Sequence, residues 1–547
     1  MIVCGLKLTH DGGVALIDGD RLICSVEIEK LHNNARYSPL DDLAVLPRIL
    51  GSFGYAPEQI DRFVIDGWGG AELGVVSAES DGRRIYLPVA PYRERRPEES
   101  VLAPYEDHGL PIGGKTYSYS SYSHAAGHIA GSWFASPLAE RERPVLVLVW
   151  DGGMLPRLYR FDPERRAVDN LGPLFDLYGN AYAIFAQRFG PFRRDEDEIR
   201  DDSSVAGKVM AYVALGTCRE AVLDIIEGAH RDTDTGTMES AWAFSREVRR
   251  RVDECGGIDD EDVLASFHEY LQRLLGASLI RCCDALGADR PRSLIMAGGC
   301  ALNIKWNSSV RDLGLFDGVW VPPFANDSGS ALGTACCELL ADPSFRSLSW
   351  SPYAGPSLGE ARAEPGWGSE PMDTVGLAAL LHHTGERVVC LTGRAEIGPR
   401  ALGNRSILAP ATSGSMKDGL NSVKGREAYR PVAPICLEEH AADVFAPGSA
   451  DPYMLFDHRV RPEWCDRVPA IVHLDGTARL QTVNDDQNPV VTAVLREYHR
   501  LSGVPLLCNT SANLPGCGFF PDVASAMRWN RTRYVWSDDV LYTHLDG

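Results

Sequence analysis

The sequence predicts an α/β protein built as two domains in series. Three observations carry that prediction. Short apolar runs are separated by acidic glycine turns, longer stretches carry apolar residues at helical spacing, and the composition from Asp342 to Met372 shifts to Ser, Pro, Gly and Trp with little periodicity. A chain of 547 residues also exceeds what one hydrophobic core usually serves. With 44% hydrophobic and 24% charged residues, its composition is that of an ordinary soluble globular protein.

The first elements form a meander. Ile2 to Leu6 reads as a strand running into Thr9-His10-Asp11-Gly12-Gly13, Val14 to Ile17 as a second, and Arg21 to Glu27 as a third beyond the turn Asp18-Gly19-Asp20. Actin-like and sugar-kinase-like nucleotide-binding domains begin in this way, with the first turn under the phosphates. Pro39 to Leu50 has a helical pattern, Arg62 to Asp66 reads as a strand, and the proline-broken charged run from Glu94 to Asp107 reads as a surface loop.

Ser123-His124-Ala125-Ala126-Gly127-His128 then places two histidines four apart, on one helical face, near enough to hold one ion. The small residues between them let the turn press against a neighbour. The apolar run Val145 to Trp150 delivers Asp151-Gly152-Gly153, where the aspartate offers a third ligand and the glycines let a phosphate approach the backbone. The alternative is that His124 and His128 are core histidines and Asp151 caps a turn. Arg157 to Phe161 continues the sheet as a hairpin.

Arg193 to Asp202 reads as a solvated loop or lid, leading to Gly207-Lys208-Val209-Met210, where Lys208 has the length to reach a phosphate. Glu261 to Leu286 carries Val263, Leu264, Phe267, Leu271, Leu274, Leu275 and Ile280 at helical spacing and reads as one long packed helix. Ser293 to Asn303 gives a strand, the Gly298-Gly299 turn and a helix start, a junction that aims backbone N–H groups at an anion. Asp327, in Asn326-Asp327-Ser328-Gly329, is either an N-cap or a fourth ligand to the ion.

Beyond 372 the candidates become basic. Arg400, Arg405, Lys424, Arg426, Arg430 and Arg479 lie beside glycines and prolines, which suits bidentate recognition of phosphate or carboxylate, although surface ion pairing would account for any one of them. Asn509-Thr510-Ser511-Ala512-Asn513 ends a short strand in a hydroxyl and amide cluster able to bind a small amide-like fragment or to brace the turn.

A net charge of −21 argues against a general nucleic-acid or anionic-membrane binder. No charge-free apolar run approaches the roughly 18 residues a bilayer requires, and the start lacks the basic residues of a signal peptide. A cytoplasmic protein is expected. The fourteen cysteines are too sparse for a disulfide scaffold and read as reduced thiols.

The motifs HDGG, SHAAGH, VWDGG, GKVM, AGGCALN and NDSGSALG over 1 to about 340, in that order, resemble the carbamoyltransferase family of nodulation factors and antibiotic tailoring. The family's first domain resembles the threonylcarbamoyl transferase of tRNA modification, an actin-like (ASKHA) two-subdomain fold. EIGPRALGNRS, KGREAYRPVAP, DGTARLQTV and CNTSANLPG look like its second domain, which is similar to threonylcarbamoyl-adenylate synthase, a YrdC-like α/β domain. The expected domains are therefore 1–345, a linker 346–371, and 372–547.

What the resemblance implies is an ATP-dependent O-carbamoyltransferase. Carbamoyl phosphate would bind the second domain and be converted with ATP to carbamoyl adenylate, and the first domain would pass the carbamoyl group to a hydroxyl of a small-molecule natural product. By this correspondence His124, His128, Asp151 and Asp327 are the metal ligands. Arg400, Arg405, Lys424, Arg430, Arg479, Asn509, Ser511 and Asn513 form the carbamoyl phosphate site, with Lys424 and Arg430 also catalytic. Gly152, Gly153, Lys208, Gly298, Gly299, Asn303 and Ser328 meet the nucleotide, and His10 is the base for the acceptor hydroxyl.

Imidazoles with carboxylates and no thiolate suit Fe(II), Mn(II) or Zn(II), and Fe(II) is the expected cofactor. A histidine is suited to take a proton near neutral pH. A monomer or homodimer is expected. Two other readings compete. A tRNA threonylcarbamoyl transferase is disfavoured by the acidic balance, while a non-catalytic nucleotide- and metal-binding regulator is permitted by fold alone.

Overall fold

Ile2–Lys7 (β1), Gly13–Asp18 (β2) and Arg21–Glu27 (β3) form the expected antiparallel meander, and Arg62–Asp66 (β4) adds to β1 in parallel. The hairpin Gly74–Ser80 (β5) and Arg83–Val89 (β6) stands apart, while Tyr105–Ile112 (β7) and Lys115–Tyr122 (β8) complete the first sheet in the order β3-β2-β1-β4-β8-β7. The computed structural model describes residues 1–70, 73–94, 99–141, 143–362 and 364–545. Of the loop expected from Glu94 to Asp107, residues 95–98 lie outside the described ones, and Tyr105 to Asp107 already belong to β7.

Pro39 to Leu50 is not one helix. Asp42 accepts a hydrogen bond from the Ala44 amide and starts a short 3-10 turn, Leu43–Val45. The helix proper is Leu46–Ser52, because Pro47 has no N–H to give and is tolerated only in a first turn.

A second sheet repeats the plan. Val145–Val149 (β9) lies between Arg157–Asp162 (β10), antiparallel, and Ser293–Ala297 (β12), parallel; Ala167–Pro173 (β11) and Gly318–Trp320 (β13) form its edges. All five residues of β9 are buried, as a central strand covered on both faces requires. Each of these two sheets pairs an antiparallel meander with parallel strands.

The long helix is Asp260–Leu286, and of its expected apolar stripe Ile280 alone is exposed, at 40%. The charged run 193–202 is a loop held down by Arg188 on Glu196 and by Arg194 on Asp202 at 2.9 Å.

The C-terminal part is an eight-stranded mixed sheet and a small three-stranded one. In chain order its strands are Trp367–Pro371 (β14), Val388–Leu391 (β15), Arg405–Ala409 (β16), Ala433–Leu437 (β17), Phe445–Ala446 (β18), His458–Val460 (β19), Thr477–Ala478 (β20), Gln481–Val483 (β21), Leu506–Ser511 (β22), Tyr534–Ser537 (β23) and Val540–His544 (β24). The large sheet runs β14-β24-β23-β15-β16-β22-β17-β21 over a core that includes Leu381, Ile407, Val494 and Leu507.

The segment 342–372 is not a free linker. The Leu22 amide donates to the Ser349 carbonyl and the Ser25 amide to that of Ala354, so it runs along the open edge of β3, and its end is β14. Two compact units result, one of Met1–Arg141 with Pro322–Gly547 and one of Glu142–Val321, a different cut from the sequence domains 1–345 and 372–547.

Candidate functional site

Ser123 caps the helix His124–Phe134 by accepting from the Ala126 amide, and every residue of that helix is buried. Its neighbour is the helix Ser330–Leu339, and the two cross where glycine meets glycine. A Cβ on Gly333 would lie 2.2 Å from the Gly127 carbonyl oxygen, so only glycine permits the approach. This crossing sets Asp327, in the turn just ahead of the second helix, against the two histidines.

His124 Nε2 and His128 Nε2 are 3.1 Å apart, and Asp327 Oδ1 lies 3.2 Å from the first and 3.8 Å from the second. Asp327 is therefore no N-cap. Its Oδ2 faces Lys7 Nζ at 3.0 Å, and Lys7 also bonds Asp66 Oδ2 at 2.9 Å, which in turn meets His124 Nδ1 at 2.8 Å. Burial alone would raise Asp327, but Lys7 and His124 outweigh it and hold the carboxyl well below its usual range. Burial likewise opposes the charge on Lys7, and Asp327 and Asp66 outweigh it, so the ammonium persists.

The donor set fits a divalent cation. Two cis ligands at roughly 2.1 Å from one ion stand about 3 Å apart, which is the spacing of these imidazole nitrogens. With His124 Nδ1 turned to Asp66, its Nε2 is left to offer a lone pair, and nitrogen with carboxylate oxygen suits Fe(II), Mn(II) or Zn(II).

His10 stands at the rim with half of its side chain exposed. Its Nδ1 meets Asp11 Oδ2 at 2.9 Å and its Nε2 lies 3.8 Å from Asp327 Oδ2. Burial lowers its affinity for a proton, yet the Asp11 bond and the Asp327 charge prevail and raise it above the ordinary value.

In the other unit Asp151 ends β9 and its Oδ1 accepts from the Gly299 amide at 2.6 Å. Gly298, at φ +87°, turns the chain after β12; a Cβ there would meet the Trp150 carbonyl oxygen at 2.4 Å. The Cys300 amide also bonds the Trp150 carbonyl, so Asp151-Gly152-Gly153 and Gly298-Gly299 form one laced pair of turns at the ends of adjacent parallel strands. Asn303 is spent differently from its expected nucleotide role, since its side chain caps the helix Ile304–Asp312 through the Lys305 and Trp306 amides. Lys208 is half-buried on the helix Ser203–Tyr212, and Ser328 donates to Asn326 Oδ1 at 2.8 Å.

The basic candidates gather in the C-terminal part. Lys424 is buried after the helix Gly414–Val423; its Nζ donates to the Ser511 and Asn513 carbonyls, both at 2.8 Å, and to Asn513 Oδ1. Burial first, then Arg426, Arg36 and Arg430, pushes it down to about 6. Burial and the guanidinium groups of Arg36 and Arg430 push Arg400 down to about 10, and burial with Arg430, Arg36 and Arg400 takes Arg426 to about 9. Arg479 is lowered by burial and by Arg400, Arg426 and Arg430. The Nε atoms of Arg400 and Arg479 are buried with no hydrogen-bond partner. Glu427 comes only to 3.9 Å of Arg430.

Two expected members are absent from this group. Arg405, 1% exposed, gives its guanidinium to the carbonyls of Thr392, Gly393 and Asn404, and Asn509 braces Ala401 and Gln481. Ser511 and Asn513 instead support Lys424, joined by Ser511 Oγ to Asn513 Oδ1 at 2.7 Å.

Two members lie outside the expected carbamoyl phosphate set, Arg426, counted only among the basic candidates, and Arg36. Arg426 donates to Thr510 Oγ1 at 3.0 Å, and its neighbours in KGREAYR already signalled it. Arg36 comes from the loop after β3, which reaches the C-terminal part through Arg36 N to the Gly516 carbonyl and Asn33 Nδ2 to Ser525 Oγ. No local pattern marks Arg36. Lys7 and Asp66 also escaped notice, as polar ends of apolar strands.

Two family models match the chain, the carbamoyltransferase N-terminus over residues 2–336 and the carbamoyltransferase C-terminus over 378–541. Nodulation protein U of Rhizobium tropici is 45% identical over 99% of this chain and 96% of its own length. The 3′-hydroxymethylcephem-O-carbamoyltransferase of Streptomyces clavuligerus is 33% identical over 100% of both. Among solved structures, the activator of the 2-hydroxyisocaproyl-CoA dehydratase from Clostridium difficile with bound ADPNP covers 64% of this chain and 100% of its own at 15% identity, with a TM-score of 0.33. On both family models and on end-to-end similarity to these relatives, the chain belongs to the carbamoyltransferase family.

Proposed function

We propose that this protein is an ATP-dependent O-carbamoyltransferase that makes carbamoyl adenylate from carbamoyl phosphate and passes the carbamoyl group to a hydroxyl of a small-molecule natural product. The observation that carries the reading is the group of cations around Lys424, in which two guanidinium Nε atoms are buried without a partner. Such a cluster in a protein of net charge −21 calls for a bound polyanion.

Carbamoyl phosphate and the phosphates of ATP supply that charge. Water cleaves carbamoyl phosphate to carbamate and inorganic phosphate; carbamate oxygen then attacks the α-phosphorus of ATP, and pyrophosphate leaves. Arg400, Arg426, Arg430 and Arg479 neutralise the charge that builds on the departing phosphates, with Arg36 joining from the N-terminal part. The C-terminal part, 372–547, is assigned a YrdC-like role, and 1–345 the transfer role.

A divalent ion, one of Fe(II), Mn(II) or Zn(II), would be held by His124, His128 and Asp327, with Asp151 as the fourth ligand that the family resemblance supplies. When bound, it provides Lewis-acid stabilisation of phosphate charge. The turns at Gly152-Gly153 and Gly298-Gly299 offer backbone N–H groups to the nucleotide. His10 takes the proton of the acceptor hydroxyl as its oxygen attacks the carbamoyl carbon, and AMP departs. The family relative named for 3′-hydroxymethylcephem makes a primary alcohol the first acceptor class to try.

The test is transfer of [13C]carbamoyl phosphate label, with ATP, to a panel of hydroxylated small molecules and to bulk tRNA, read by mass spectrometry. A carbamate ester on a small-molecule hydroxyl is the expected result. Label on tRNA adenosine, or a carbamate ester that forms equally well without ATP, would overturn the proposal.

A further inference from the structure

Lys7 and Asp66 end two parallel neighbouring strands, β1 and β4, and are 1% and 2% exposed. Neither contributes an atom to the proposed ion, yet both touch the groups that do. Asp66 Oδ2 meets His124 Nδ1 at 2.8 Å and Lys7 Nζ at 2.9 Å. Lys7 Nζ reaches Asp327 Oδ2 at 3.0 Å and sits 4.4 Å from the centre of the Trp68 ring. On the other side of the same groups, His124 Nε2 and Asp327 Oδ1 face each other at 3.2 Å.

We infer that Lys7 and Asp66 are positioning residues that fix how two metal ligands are presented: Asp66 holds His124 in the Nδ1–H tautomer, and Lys7 occupies one oxygen of Asp327 so that it ligates through the other alone. The inference rests on the proposed metal site. A carboxylate behind a ligating imidazole fixes the ring and raises its basicity. A carboxylate with both oxygens available can ligate through one or two, and the ion pair with Lys7 removes the second. That restriction keeps a coordination position open for substrate. The Trp68 face closes the remaining side of the ammonium.

A purely structural ion pair would leave metal binding untouched in any variant that folds, so the readout is the metal itself. Metal-free full-length protein is titrated with Co(II), following visible absorption, with bound metal counted by mass spectrometry and folding checked by circular dichroism. Asp66→Asn is expected to bind Co(II) about 10- to 100-fold more weakly than wild type.

Lys7→Met should bind it at least as tightly, because a positive charge is gone. Its d–d absorption should fall by roughly two-fold or more as the second Asp327 oxygen joins the ion and the coordination number rises. Lys7→Gln, which keeps a donor for Asp327, should retain the wild-type spectrum. If wild type takes up no Co(II), the metal site itself fails. If wild type binds and the folded variants, Asp66→Asn alone if need be, match its affinity and spectrum, the positioning role is overturned.

Discussion

Replacing Gly333 with alanine asks whether the helix crossing sets the spacing of the imidazole and carboxylate groups. The new Cβ would fall 2.2 Å from the Gly127 carbonyl oxygen and 2.7 Å from its carbon. Unbonded carbon and oxygen need roughly 3.3 Å, so the helix Ser330–Leu339 must retreat by about 1 Å. Both obstructing atoms are backbone, and no side-chain rotation relieves them. Overpacking of this kind costs about 1–3 kcal/mol. The retreat carries Asp327 with it, and about 1 Å is half a metal–ligand bond of roughly 2.1 Å. Gly333→Ala is therefore expected to lower both the midpoint of chemical unfolding and Co(II) affinity, the latter by about tenfold or more. Gly51→Ala is the control: nothing lies within 4 Å of its added Cβ, and it should be neutral or stabilising. The reasoning is refuted if Gly333→Ala unfolds and binds Co(II) as Gly51→Ala does.

Other expectations follow from the basic group and from the contact between the two ends of the chain. Burial and the neighbouring guanidinium groups weaken the hold of Lys424 on its proton and a bound phosphate strengthens it, so phosphate binding takes up protons above pH 6 and weakens as pH rises. Calorimetric titration with inorganic phosphate in two buffers of different ionisation heat measures that uptake, and equal uptake in wild type and Lys424→Met would contradict it. The same depression makes the empty protein less stable as pH falls from 10.5 towards 6, since the unfolded lysine takes up the proton more readily there. Arg36→Ala should raise the KM for carbamoyl phosphate about tenfold, as loss of one charge-assisted contact does, with the melting temperature unchanged. Lys30 pairs with Glu27 at 2.6 Å and donates to the Glu396 and Gly398 carbonyls. Lys30→Met strands a buried carboxyl and should cost about 3–5 kcal/mol in urea unfolding.

Residues close in sequence were legible, and those assembled from a distance were not. The meander β1–β3, the helix with both histidines and the junction after β12 each carry their own periodicity or turn chemistry. Pro39 to Leu50 failed because apolar spacing was read past Pro47, whose missing N–H starts a helix and cannot continue one. In the basic group, Arg405 and Arg400 share one motif and opposite fates. Arg405 gives both terminal guanidinium nitrogens to backbone carbonyls, whereas Arg400 faces the guanidinium groups of Arg36 and Arg430, and a sequence of glycines and arginines does not say which carbonyls will be near. Asn303 and Asn509 are the same lesson for amides, each taken up by a cap or a brace. Arg36 lies in an exposed polar turn, and the Lys424, Arg400 and Arg426 charges it adds to are hundreds of residues away. Lys7 sits one step beyond an apolar run, where a lysine ordinarily reaches water; here the converging ends of β1 and β4 bury it between two aspartates.

The most direct measurement is pyrophosphate release from ATP by the full-length protein, with and without carbamoyl phosphate, in wild type and in Arg430→Ala. The account predicts release that requires carbamoyl phosphate and is nearly lost in Arg430→Ala, with carbamoyl adenylate found in the quenched wild-type reaction. Release that ignores carbamoyl phosphate, or none from wild type, would contradict it.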